Sequence, residues 1–156
     1  MALIELETFI AAPPERCFDL SLSVELHLDS TAATRERAIA GKTSGVLALD
    51  DWVTWKAWHF GLPLRLSVQI TQHDRPWGFR DEMVSGPLRR LRHDHRFEEV
   101  DGGTLMIDQF QFAMLPLLDS LVLTPHFRKF LVGRNALIKR AAEGGASRYD
   151  VGSSLL

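Results

Sequence analysis

A chain of 156 residues, 46% apolar and 24% charged, has the make-up of one ordinary globular domain with enough length to bury a core. Its formal charge of −2 gives no electrostatic reason to expect nucleic acid as a partner, and one cysteine, Cys17, excludes an intrachain disulfide and suits a reducing compartment. No apolar run reaches membrane-span length, and Glu5 and Glu7 interrupt the stretch where an export signal needs an unbroken apolar core, so a cytoplasmic protein with no stable membrane insertion is expected.

Residues 2–10 alternate and read as a strand whose inward face the pattern leaves open. Ala12-Pro13-Pro14-Glu15 opens a short helix with Cys17, Phe18 and Leu20 on its apolar side. A second short helix covers residues 23–28, and a weak strand covers 35–40. From Trp52 the chain reads as antiparallel sheet. A two-residue loop at Phe60-Gly61 sets His59 opposite Leu62, Ala57 opposite Leu64, Trp55 opposite Leu66 and Val53 opposite Val68, all on one face. Phe79 to Ser85 and Leu88 to Val100 form a hairpin around Gly86-Pro87. Asp101-Gly102 carries the residues of a type I′ turn. That loop sets Phe97 opposite Met106, His95 opposite Asp108 and His93 opposite Phe110.

Residues 117–143 carry apolar side chains at helical spacing: Leu117, Leu121, Phe127, Leu131 and Ile138. Thr124-Pro125 reads as an N-cap followed by Pro in the first turn, so the pattern predicts a short helical segment, a kink and a main helix from about Thr124. Gly144-Gly145 ends it. Residues 1–143 are therefore taken as one domain, and the Gly/Ser-rich 144–156 as a flexible tail.

The inward faces so assigned are built of Val, Leu, Phe and Met, yet they also carry His59, Asp81, His93, His95 and Asp108. A neutral polar group buried without a partner costs roughly 2–7 kcal/mol. Either these groups pair in the core or a cavity separates sheet and helix. His95 with Asp108 is the cross-strand pair, its carboxylate expected to raise the imidazole pKa, and Asp81 lies within one step of His93. Four readings stay open: a structural pair that fixes register, polar anchors in a ligand cavity, general acid–base work by His95 or His93, and, last, a metal site on His93-x-His95. The metal reading ranks last because Phe and Met surround the pair, and neither metal nor cofactor is expected. Trp52 and Trp58 lie on the opposite face as edge or interface residues. There is no Gly-rich phosphate loop, no Gly-x-Ser-x-Gly and no cysteine-based metal motif.

Several stretches resemble the SRPBCC superfamily, the START-like or birch-pollen-allergen-like helix-grip proteins, in particular small bacterial members of the polyketide cyclase/dehydrase-like or coenzyme Q-binding-like kind. They are residues 9–18 (FIAAPPERCF), residues 53–61 (VTWKAWHFG), residues 74–83 (DRPWGFRDEM), residues 91–98 (LRHDHRFE) and the helix to Ala142. The resemblance covers most of residues 1–143. It implies an α+β helix-grip fold: a curved antiparallel sheet wrapped around a long C-terminal helix, with two short helices between the first and second strands. It also implies a hydrophobic cavity that takes a lipid, polyketide, quinone or similar small molecule. The superfamily has no universal catalytic motif, so enzyme status stays open. The expected cavity lining is Trp55, Leu66, Phe79, Met83, Phe97, Phe110 and Leu131, with His59, Asp81, His93, His95 and Asp108 as polar anchors. If the protein is an enzyme, it is of the cyclase/dehydratase type, and the acid–base candidates are His95, Asp108, His93 and Asp81. A non-catalytic interaction module using Trp52 and Trp58 is the third alternative, and homodimerisation is left open.

Overall fold

A computed structural model describes residues 1–145 and 148–150. Seven strands form one antiparallel sheet in the order β1-β7-β6-β5-β4-β3-β2. They are β1 (Ala2–Ile10), β2 (Arg37–Gly41), β3 (Trp52–His59), β4 (Leu62–Asp74), β5 (Gly78–Ser85), β6 (Arg90–Val100) and β7 (Gly103–Ala113). Helices α1 (Pro14–Ser21) and α2 (Val24–Ser30) separate β1 from β2. A short α3 (Pro116–Leu118), a π-helical turn (Asp119–Leu123) and α4 (Thr124–Glu143) complete the fold. The sheet is curved, and register shifts in β2 (Ala38/Ala40) and β4 (Ser67/Val68 and Ile70/Gln72) are bulges of the kind that bend a sheet around its contents.

The registers follow the alternation of the chain. His59 faces Leu62, Trp55 faces Leu66, Phe97 faces Met106 and His95 faces Asp108. β1 turns its even-numbered face inward: Ile4 and Ile10 are fully buried while Leu3 and Phe9 are exposed. The odd-numbered face carries Glu5 and Glu7, whose desolvation would cost more than burying Leu3 and Phe9 gains. Phe9 is instead covered from outside by the Lys139 ammonium, 5.4 Å from its ring centre.

One turn type differs from expectation. Among the non-glycine residues, left-handed backbone occurs at Arg35, Asp50 and Phe60 and not at Asp101, so Asp101-Gly102 is not a type I′ turn. Phe60 (φ 52°) and Gly61 (φ 75°) are both left-handed, and the I′ pattern sits at that hairpin tip instead. A bulky residue in this region is uncommon. The Phe60 ring rests against His126, 4.9 Å away, which gives this conformation a tertiary partner.

The end of the chain behaves as its apolar spacing predicts, except at the cap. Thr124 does not cap α4: its hydroxyl donates to the Asp119 carbonyl at 2.6 Å, and α4 continues from the π turn with helical backbone at Leu123. Pro125 has no N–H to return to a carbonyl one turn back, and the wider π turn takes up that break. The Asp119 carboxylate receives the backbone N–H groups of Met114 and Leu115 and ties the turn to the end of β7. Beyond it, Leu131, Ile138, Ala141 and Ala142 bury one face of α4. Phe18 of α1 packs edge-on against Phe79 and Phe97 of the sheet. Part of the expected tail, residues 146–147 and 151–156, lies outside the described residues. Within the described part, the Tyr149 hydroxyl donates to Asp29 at 2.6 Å and Arg16 pairs with Asp150.

Candidate functional site

A cavity of about 470 Å³ lies between the concave face of the sheet and α4, within the usual range for small-molecule pockets. β3 and β4 give it Trp55, Ala57, Leu64, Leu66, Val68 and Ile70. β5, β6 and β7 give Phe79, Leu91 and Phe110, and α4 gives Phe127, Phe130 and Leu131. Phe60, Leu62 and Val122 line the cavity yet are 61%, 60% and 40% exposed, so they mark its open end. There, His59 Nδ1 and His126 Nε2 meet at 3.0 Å and link the β3–β4 hairpin to the first turn of α4. Burial lowers the pKa of His59 against a weaker opposing pull from Glu36. Burial lowers His126 as well, helped by His59 and Lys129. The contact is one between neutral rings.

The opposite end is polar. Alternation on β5, β6 and β7 points Asp81, His93, His95 and Asp108 to the same side, because Asp81 pairs in register with His93 and His95 with Asp108. The side chains bond along the diagonals instead. His93 Nε2 donates to Asp108 Oδ1 at 2.9 Å, and His95 Nε2 lies 3.1 Å from Asp81 Oδ2. The two imidazoles stand side by side, ring centres 3.7 Å apart, with one carboxylate on each side. Asp108 is completely buried and also accepts from Asn135 Nδ2 at 2.6 Å. Arg134, which donates to the Ser21 carbonyl, lies 3.8 Å from the same carboxylate. His95 Nδ1 lies 3.1 Å from Asp108 Oδ1 but off the hydrogen-bond direction, which leaves it the one buried side-chain polar atom without a partner among the described residues.

Electrostatics follow from this packing. Burial opposes ionisation of Asp108, but the His93 hydrogen bond and the two adjoining imidazoles outweigh it and hold the carboxyl well below its ordinary value. Asp81 is lowered on the same balance, burial being opposed by the His95 hydrogen bond and both rings. His93 is lowered: burial and its neighbour His95 push it down, more than the two carboxylates pull it up. The wall is therefore an ionised pair of carboxylates with a neutral His93.

Of the expected lining, Trp55, Leu66, Phe79, Phe110, Leu131, His59, Asp81, His93 and His95 are on the cavity wall. Asp108, Met83 and Phe97 are not. Asp108 lies behind the histidines, Phe97 packs beneath Phe79 and Phe18, and Met83 is half-buried beside Gly86. The wall also holds Arg134, His126, His27 and Glu36, which the strand and helix patterns do not single out. Arg134 has a signal: it falls three residues after Leu131 and four before Ile138, inside the apolar stripe of α4. His27 stacks on Trp55 at 4.1 Å and bonds Glu36 at 2.9 Å, and no spacing in the chain announces that pair.

No protein-family model matches the chain, and no curated protein matches it in sequence. Solved structures do match its fold. TTHA0849 from Thermus thermophilus superposes with a TM-score of 0.70 at 18% identity, over 90% of this chain and 99% of that one. Ara h 8.0201 does so with a TM-score of 0.69 at 15% identity, over 92% and 99%. The major latex-like protein 151 of Panax ginseng gives 0.67 at 13% identity, over 90% and 97%. The curved seven-stranded sheet, the two helices after its first strand and the long C-terminal helix it grips are the helix-grip fold that these structures share.

Proposed function

We propose that this protein binds one small hydrophobic molecule, of the lipid, polyketide or quinone kind, in the cavity between sheet and α4. The observation that carries the reading is the cavity itself: about 470 Å³ of largely apolar wall, with Asp81, His93 and His95 clustered at the end away from the exposed rim. The apolar body of the ligand lies against Trp55, Leu66, Phe127 and Leu131, and an oxygen function reaches Asp81 and His95. The formal charge of −2 supports a small-molecule rather than a nucleic-acid partner, and the buried free thiol of Cys17 supports a reducing, cytoplasmic setting. No helix among the described residues is long and apolar enough to cross a membrane. Native mass spectrometry of the purified protein, followed by denaturing extraction, tests the reading. A near-stoichiometric apolar adduct is expected; an unliganded mass that does not shift with fatty acids, quinones or aromatic polyketides contradicts it.

A second reading rests on the place of His95 and Asp81 in the cavity wall. Both line the cavity, and His93 is oriented from behind by Asp108, so a histidine–carboxylate pair stands where it can take a proton alpha to a carbonyl, as in a cyclase/dehydratase. His95→Gln and Asp81→Asn would then abolish turnover while ligand affinity changes little. A collapsed core would favour the interaction-module alternative; Trp52 and Trp58 are exposed, and the cavity supports the binding reading instead.

A further inference from the structure

We propose that Asp81, His93 and His95 form a site for one first-row divalent cation at the closed end of the cavity, with Asp108 holding both rings from behind. Each imidazole has two nitrogens, and in this wall each nitrogen faces a carboxylate. On the Asp108 side, His93 Nε2 and His95 Nδ1 lie 2.9 and 3.1 Å from the single oxygen Oδ1. On the cavity side, His95 Nε2 and His93 Nδ1 lie 3.1 and 4.0 Å from Asp81 Oδ2. A neutral imidazole carries one N–H only. His93 places its proton on Nε2 to bond Asp108, which leaves the Nδ1 lone pair facing Asp81. His95 has a carboxylate oxygen at 3.1 Å from each nitrogen, and its Nδ1 makes no hydrogen bond although the residue is only 2% exposed.

A cation on the cavity side fits this arrangement of donors. His95 then carries its proton on Nδ1, towards Asp108, and three lone pairs converge: His95 Nε2, His93 Nδ1 and Asp81 Oδ2. Imidazoles bound to metals present their second N–H to a carboxylate in this way. At metal–donor distances of about 2.1 Å, three ligands lie roughly 3.0–3.4 Å apart. The His95–Asp81 separation already fits, and all three donors lie within 4.8 Å of one another. The carboxylates of Asp81 and Asp108 flank the two rings, and the one buried guanidinium nearby, Arg134, lies 3.8 Å from Asp108. The sequence ranks a metal last because Phe and Met surround the strand. What the structure adds is a carboxylate on each side of the two rings. Two imidazoles and one carboxylate suit the iron-to-zinc range over magnesium or calcium, and the remaining coordination positions open into the cavity, where an oxygen donor of a bound molecule can reach them.

The test is a titration of chelator-treated full-length protein with Zn²⁺ alone, read by calorimetry and by long-range ¹H–¹⁵N NMR of the histidine rings. One Zn²⁺ per chain is expected, with the His93 and His95 ring nitrogens shifting and those of His59 and His126 unmoved. Co²⁺ in place of Zn²⁺ should give a visible ligand-field absorption. Asp81→Asn should weaken binding at least a hundredfold, and Asp108→Asn ten- to a hundredfold through the lost orientation of the rings. Should either variant fail to fold, the wild-type histidine shifts decide alone. No binding, shifts confined to His59 and His126, unchanged affinity in folded Asp81→Asn, or a His95 ring that keeps both protons in excess Zn²⁺ would each overturn the site. No organic ligand enters the titration, so its failure leaves the proposed cavity function standing.

Discussion

Asp108 gathers the polar wall into one unit. It accepts hydrogen bonds from His93 on β6 and Asn135 on α4 and faces Arg134, so sheet and helix meet at one buried carboxylate. Removing it leaves an imidazole N–H and an amide without this acceptor and a buried guanidinium without its counter-charge. Asp108→Ala should therefore cost about 3–5 kcal/mol, the range for breaking a buried charge pair on one side, measurable by urea denaturation. Replacing Arg92 on the outer face should change stability by less than about 1 kcal/mol, because its ion pair with Asp94 is part-exposed. The direction of the pKa shifts also fixes a pH profile. His59, His93 and His126 resist protonation in the fold, chiefly through burial. Below about pH 6.5 the unfolded chain therefore binds more protons than the folded one, and stability falls with falling pH. Asp81 and Asp108 are held ionised in the fold, so their contribution is complete above the unfolded carboxylate value near pH 4 and is lost as pH falls through their lowered folded values. A melting temperature flat above pH 7, declining from about 6.5 and declining again below 4, is expected. A maximum near pH 5 would contradict these shifts.

Among the elements, α4 carries both the clearest sequence signal and the least optimised position. Gly133 sits in its middle, on the exposed face, and a methyl group built there meets open space. Gly133→Ala should stabilise the protein by about 0.5–1 kcal/mol in chemical denaturation, since Ala loses less backbone freedom and improves helix propensity. Leu131→Ala, on the buried face, should cost about 2–5 kcal/mol. The strands are legible in the chain because period-two alternation and two-residue loops leave one register that buries the apolar faces, and His59–Leu62 and His95–Asp108 pair as that logic requires. What alternation cannot carry is side-chain direction. His95 and Asp108 are opposite in register, yet His93 bonds Asp108 and His95 approaches Asp81, because rotamers, not Cα pairing, choose the partner. The expected cap at Thr124 fails for a related reason: its local motif is right, but the preceding π turn already supplies helical backbone. Arg134 shows the converse, a charge on an apolar stripe whose partner, Asp108, lies on another element.

At the scale of the molecule, the sheet bends around α4 without closing on it, and the space left is what the composition alone could not reveal. Apolar content says a core exists; it does not say whether the core is filled. The polar residues on the inward faces are the signal that it is not, since His59, Asp81, His93, His95 and Asp108 could not all be buried in a dry core without cost. The central claim is that this cavity, rather than the outer sheet face, is where the protein binds its partner. The direct measurement compares the dissociation constant of an apolar fluorescent probe such as 1-anilinonaphthalene-8-sulfonate for the wild-type protein and for Ala57→Phe, which places a ring in the cavity from a buried wall position. One saturable site in the wild type, weakened at least tenfold in a variant with an unchanged far-ultraviolet circular dichroism spectrum, is the predicted result. Equal affinity in the two proteins would place the binding surface elsewhere and contradict the account.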